Sequence, residues 1–122
     1  MPKRVLVVDD DVKIREIITF ALSRHNYEVT VAENGVQLQE ILASLTPDLI
    51  ILDVMMPGFD GYHLFGQLRQ NQSTRHIPVI IMTAHVEKIY ERISTDLGAS
   101  RHITKPFHPL ELVEKVRELL EY

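Results

Sequence analysis

Three runs of consecutive apolar residues constrain this chain more than any other feature: Val5-Leu6-Val7-Val8, Leu49-Ile50-Ile51-Leu52 and Pro78 to Met82. Successive side chains of a strand point to opposite faces, so an unbroken apolar run suits a central parallel strand covered on both sides. Each run stops on a polar residue, Asp9, Asp53 or Thr83. Between the runs the apolar positions recur at helical spacing. Ile14, Ile17, Ile18, Ala21 and Leu22 form one stripe behind Asp11, a residue type that caps helix N-termini. Leu38, Ile41, Leu42 and Leu45 form a second stripe, opened by Asn34-Gly35, after a half-alternating strand over Tyr27 to Ala32. A Pro57-Gly58 loop leads to a third stripe of Leu64, Phe65 and Leu68. Val86, Ile89, Tyr90, Ile93 and Leu97 predict a fourth helix, stopped by Gly98. Arg101 to Thr104 reads as a short, polar edge strand. Pro109, favoured at the first position of a helix, then opens a fifth stripe of Leu112, Val113, Val116 and Leu120.

Five strands alternating with five helices predict an α/β fold, a doubly wound five-stranded parallel sheet with helices on both faces. The 122 residues suit one compact domain, 1–122, with no internal linker. Thirteen Lys and Arg against seventeen Asp and Glu give a net charge of -4 and leave no basic stripe, which argues against direct nucleic-acid binding. The absence of cysteine rules out disulfides and thiolate metal sites and suits a reducing compartment. The N-terminal segment is too short and polar for a signal-peptide core or a membrane span, and the expected location is the cytoplasm.

In an open α/β sheet, ligands bind beyond the carboxyl ends of the strands. That rim should carry Asp9 and Asp10 from the first strand, Asp53 from the third, Thr83 and Ala84 from the fourth, and Lys105 from the fifth. Three carboxylates brought together repel one another and need a cation to stay ionised. Hard oxygen donors select Mg2+, which commonly joins carboxylates to a phosphoryl oxygen. Lys105 and the Thr83 hydroxyl would complete a phosphoryl pocket, because phosphoryl transfer is catalysed mainly by positioning and charge neutralisation. Asp53, the lone acid after a buried strand at the sheet centre, is the candidate nucleophile. The bland alternative is that strand-end aspartates merely cap helices.

The ordered matches Asp9-Asp10, Asp53 with Met56-Pro57 and Asp60-Gly61, Thr83-Ala84 and Lys105-Pro106-Phe107 resemble the receiver domain of two-component response regulators over essentially the whole chain. The resemblance implies a flavodoxin-like sheet in the order 2-1-3-4-5. It implies a signalling switch, an enzyme only toward its own phosphorylation and dephosphorylation. Asp53 would take a phosphoryl group from a histidine kinase, a phosphotransfer protein or a small phosphodonor. Mg2+ would be held by Asp10, Asp53 and the Met55 carbonyl, with Asp9 acting through water. Thr83 would move to the phosphoryl group, Lys105 would pair with it, and the Lys105-Pro106 peptide would be cis. The face that a downstream output domain or protein reads would comprise the fourth helix, fifth strand and fifth helix.

The segment from Lys105 to Val113 looks closest to receivers attached to winged-helix DNA-binding domains, which suggests a phosphorylation-dependent homodimer. Such receivers commonly carry two aspartates and a tyrosine where this chain has Ser100-Arg101-His102, and a basic residue where it has Glu91, so the usual dimer ion pairs would be weakened. Met55 and His85 flank the pocket at positions that tune phosphate lifetime in the family. The other histidines show no metal-cage spacing, and Tyr62, Phe65, Tyr90 and Phe107 read as core or rim aromatics. A flavin mononucleotide protein would need a Gly/Ser/Thr-rich loop after the first strand, where this chain has acids. An aspartyl phosphohydrolase would need a second acid in Asp53-Val54-Met55.

Receivers usually carry Tyr or Phe three residues before the lysine; here it is His102. It is either a switch residue that also titrates near neutrality or a space-filling edge-strand histidine. Phosphorylated-state signalling of wild type and His102→Tyr, compared across pH, separates the two: a sensor gives diverging profiles, a space-filler identical ones.

Overall fold

The computed structural model describes residues 2–55, 61–84 and 99–121. Five parallel strands, β1 (Arg4–Val8), β2 (Glu28–Ala32), β3 (Leu49–Asp53), β4 (Val79–Thr83) and β5 (Arg101–Thr104), form one sheet in the order β2-β1-β3-β4-β5. The reversal of winding falls between β1 and β3, which pair from Val5↔Leu49 to Val8↔Leu52. Helices α1 (Val12–Ser23), α2 (Gly35–Leu42), α3 (Gly61–Gln70) and a C-terminal helix (Pro109–Leu120) connect or flank the strands. The helix predicted over 86–97 lies outside the described residues, as do Glu91, His85 and Tyr90. Among the described residues no helix is long and apolar enough to cross a membrane.

The period-two geometry of the strands sorts the core into two layers. On one face Leu6, Val8, Ile50, Leu52, Val79 and Ile81 pack with Leu38 of α2 and Leu64, Phe65 and Leu68 of α3. On the other, Val5, Val7, Leu49, Ile51, Ile80 and Met82 pack with Ile18 and Leu22 of α1 and Leu112, Val113 and Val116 of the C-terminal helix. Strands β3 and β4 are buried at every residue, as their unbroken apolar runs predict.

The caps follow local chemistry. Asp11 accepts from the Lys13 and Ile14 amides at the start of α1, and the Asn34 side chain accepts from the Gln37 amide at the start of α2. Two boundaries differ from the sequence reading. Helix α2 ends at Leu42, although the Leu45 amide still reaches the Ile41 carbonyl at 2.9 Å, so Leu45 belongs to the turn. Strand β2 begins at Glu28, and Tyr27 before it is buried in the layer beneath α1. Ile17, expected in the apolar stripe, is 44% exposed on the outer flank of α1.

The Tyr27 hydroxyl donates to the Glu121 carboxylate at the end of the C-terminal helix. Burial first, and then this carboxylate, push the phenol up from 10.0 to about 12. A raised folded-state value makes the contribution fully present below the unfolded value and lost as pH rises through the folded one. Wild type should therefore lose urea stability progressively between pH 10 and 12, and Tyr27→Phe should lose less over that window; parallel losses would remove the assignment.

Candidate functional site

The carboxyl ends of β1, β3, β4 and β5 place the chemistry along one rim. Carboxylate oxygens of Asp9, Asp10 and Asp53 come within 4.8 Å of one another. Asp9 and Asp53 are almost wholly buried, while Asp10 is exposed. The Lys105 Nζ bridges the two buried acids, donating to Asp9 Oδ2 at 2.7 Å and to Asp53 Oδ2 at 2.9 Å. Lys105 gets there because its own amide donates to the Thr83 carbonyl at 2.8 Å, extending the β4 to β5 ladder by one residue. The Lys105-Pro106 peptide is cis, as the resemblance implied.

The second oxygens are held by backbone. Asp9 Oδ1 accepts the Asp11 amide at 2.9 Å, and Asp53 Oδ1 accepts the Met55 amide at 2.8 Å. Thr83 is buried at the end of β4, next in the chain to Met82, which pairs with Asp53. Met55, whose amide holds Asp53, is 42% exposed.

Burial raises the Asp9 carboxyl above its ordinary value; the Lys105 and Asp11 hydrogen bonds oppose this and the Asp53 charge adds to it. For Lys105, burial pulls downward, but hydrogen bonds to Asp9 and Asp53 and their negative charges prevail and raise it. The two partners thus shift in the same direction. The Lys105 side chain is 21% accessible, whereas the Asp9 side chain is fully enclosed. Lys105 stays an ammonium at neutral pH.

Other predicted residues stand apart from this cluster. His102 is half-buried on β5, paired in register with Ile81. Arg101, where related receivers commonly have Asp, is engaged within the chain, to Glu118 at 3.2 Å and to the Ser100 carbonyl at 2.7 Å.

His108 and Arg15 were not singled out for a role from the sequence, and Gly61 was named only as part of a motif. His108, one of the histidines without metal-cage spacing, caps the C-terminal helix, its Nδ1 accepting from the Leu110 amide at 3.1 Å. Gly61 opens α3 so close to the end of β3 that a Cβ there would lie 2.4 Å from the Val54 Cα, a distance no side chain permits. Arg15 donates to the Asp9 carbonyl at 2.9 Å. A signal existed for Gly61, which follows an acid within the family-like motif, but none for Arg15.

A doubly wound parallel sheet with three acids and a lysine gathered beyond its strand ends defines a phosphoryl- and cation-handling class of α/β domain. The response regulator receiver domain model matches residues 5–117, and the chain belongs to that family. It is a receiver domain of the two-component type, and such domains are signalling switches. Among curated relatives, the phosphate regulon transcriptional regulatory protein PhoB of Pseudomonas aeruginosa is 41% identical over 118 residues, which are 97% of this chain and 52% of that protein. The DNA-binding dual master transcriptional regulator RpaA of Synechocystis is 38% identical over 96% of this chain and 48% of its own length. Both are named as transcriptional regulators, in keeping with the C-terminal motif's likeness to receivers of winged-helix factors. The chain spans about half the length of these curated relatives. Among solved structures, the chemotaxis response regulator CheY4 of Vibrio cholerae matches with a TM-score of 0.90 at 27% identity, covering 98% of this chain and 100% of that one. The signal receiver domain of a signal transduction histidine kinase from Syntrophus aciditrophicus matches with a TM-score of 0.87 at 34% identity, covering 98% and 90%.

Replacing Lys105 by Met leaves two buried carboxylates facing each other without their ammonium. The variant should lose about 1–3 kcal/mol of urea-unfolding stability at neutral pH. The deficit should shrink as acid protonates the raised Asp9, so equal deficits at pH 7 and at pH near 4.5 would contradict the bridge.

Proposed function

We propose that residues 1–122 form one receiver domain that accepts a phosphoryl group on Asp53 and so switches a downstream partner. The observation that carries this reading is the Lys105 ammonium held between Asp9 and Asp53 in a cluster of three carboxylates. The donor set fits Mg2+: oxygen ligands only, one exposed acid and two buried ones, with an excess of negative charge over the single lysine. Asp10, Asp53 and the Met55 carbonyl would hold the ion, with Asp9 acting through water. When bound, the cation neutralises charge on the acids and on the phosphoryl oxygens.

The chain's own groups do the rest. The Asp53 carboxylate is presented rigidly by the Met55 amide and Lys105, which fixes an attacking oxygen without rotamer search. An Asp53 oxygen attacks phosphorus, the bond from phosphorus to the donor's leaving atom breaks, and the leaving group departs with the electron pair. Lys105 turns from its carboxylate partners to the equatorial oxygens, where charge accumulates. The Thr83 hydroxyl donates to the same group and gives up its former contacts. That exchange biases the two-state equilibrium read at β5 and the C-terminal helix, with His102 as the ring that follows Thr83.

The donor is the phosphohistidine of a histidine kinase or phosphotransfer protein, or a small acyl phosphate. The reader is an output domain or protein, and the setting is the cytoplasm. The likeness to PhoB and RpaA supports a transcriptional output. A phosphorylation-dependent homodimer, if formed, would lack the family's usual ion pair at Arg101, which is engaged by Glu118.

Intact-mass spectrometry after incubation with acetyl phosphate tests the acceptor. Wild type should gain one phosphate with Mg2+ and none with EDTA, and Asp53→Ala should gain none. A Mg2+-dependent adduct on Asp53→Ala would move the acceptor elsewhere, and no adduct from any donor, a kinase included, would leave a phosphate-independent module.

A further inference from the structure

The Asp9-Asp10-Asp11 turn is tied down at both of its outer residues, while the Asp10 side chain between them is exposed. The Asp9 amide donates to the Ala32 carbonyl at 3.1 Å, linking the turn to the end of β2. The Asp9 carboxylate takes Lys105 and the Asp11 amide, and the Asp11 carboxylate caps α1. Arg15 claims the Asp9 carbonyl: Nη1 donates to that oxygen at 2.9 Å from one turn into α1. The Arg15 side chain is only 15% exposed, and its Nη2 lies 3.9 Å from Glu33 Oε2 in the loop after β2.

The Asp9 carbonyl and the Asp10 amide belong to the same planar peptide. Fixing that oxygen fixes the plane from which the Asp10 side chain departs. We propose that Arg15 is a positioning residue for Asp10: through the Asp9 carbonyl it orients the exposed carboxylate toward Asp53 and so sets the cation affinity of the rim. The inference rests on the reading of Asp10 as a metal-binding acid. A guanidinium suits the task because its planar fork can hold the carbonyl with one nitrogen and face Glu33 with another.

Orientation and charge predict opposite signs. If Arg15 acted only through its charge, removing it would tighten cation binding, since one positive neighbour is gone. If it orients Asp10, removing it loosens binding. Outer-shell hydrogen-bond partners of metal sites typically cost about 10–100-fold in affinity when lost.

The experiment is a calorimetric Mg2+ titration of the unphosphorylated chain, paired with the Mg2+ dependence of phosphorylation by acetyl phosphate. Arg15→Met keeps the apolar stem and removes the donor, Arg15→Lys keeps a donor within reach of the carbonyl, and Arg15→Gln serves if the Met variant folds poorly. Thermal midpoints in EDTA establish that each variant is folded. The Mg2+ dissociation constant and half-saturating concentration should rise about tenfold in Arg15→Met, with the rate at saturating Mg2+ little changed and Arg15→Lys recovering most of the loss. Glu33→Gln, which breaks only a 3.9 Å pair whose carboxylate is exposed, should stay within about twofold of wild type. Unchanged or tighter Mg2+ binding by folded Arg15→Met or Arg15→Gln would overturn the inference while leaving the Asp53 reading intact. A wild type that binds no Mg2+ at all would instead remove the metal reading, and this inference with it.

Discussion

The structure depends on one electrostatic arrangement: two buried carboxylates from adjacent strands share a single lysine from the sheet's edge. Burial raises the Asp9 carboxyl at the end of β1 and the neighbouring Asp53 charge adds to it, so the pair calls for a counter-charge. Lys105 supplies it at 2.7 and 2.9 Å. The contact spans 96 and 52 residues of sequence, so it exists only once β5 has paired with β4 and the sheet is complete. The ion bridge thus reports on the whole sheet. It is also the element that a phosphoryl group would have to rearrange.

Around that bridge the backbone does most of the positioning. The Asp11 and Met55 amides hold the outer oxygens of the two buried acids, and Arg15 holds the carbonyl between the paired aspartates. One acid, Asp10, is left exposed among restrained neighbours. A restrained buried carboxylate beside an accessible one is the arrangement on which the proposed function rests, since a hydrated cation would need access and an attacking oxygen would need a fixed direction.

The fold's central strands and the rim were legible because two simple periodicities write them into the chain. Continuous apolar runs mark β1, β3 and β4, and a polar residue after each run marks where the sheet meets its ligand face. The flanks were less legible. Val31, Ile17 and Phe20 are apolar yet exposed, so hydrophobicity alone misplaces them. The end of α2 was overrun because Leu45 keeps the helical spacing after the helix has stopped. His108 gave no sign of its capping role, which needs only a neutral ring nitrogen in the right rotamer.

By itself, the sequence determined the strand and helix pattern, the set of acids, hydroxyl and lysine at the strand ends, and Asp53 as the residue at the sheet centre. These follow from side-chain periodicity and from chemistry local to a few positions. Only the tertiary structure decided which oxygen faces which donor: that Lys105 bridges Asp9 and Asp53, that Arg15 holds the carbonyl between the paired acids, that Arg101 turns to Glu118, and that nothing larger than glycine fits at 61 against Val54. Such choices depend on distances between elements far apart in the chain, and those distances are fixed by packing the two helical layers onto the sheet rather than by any residue's own preference.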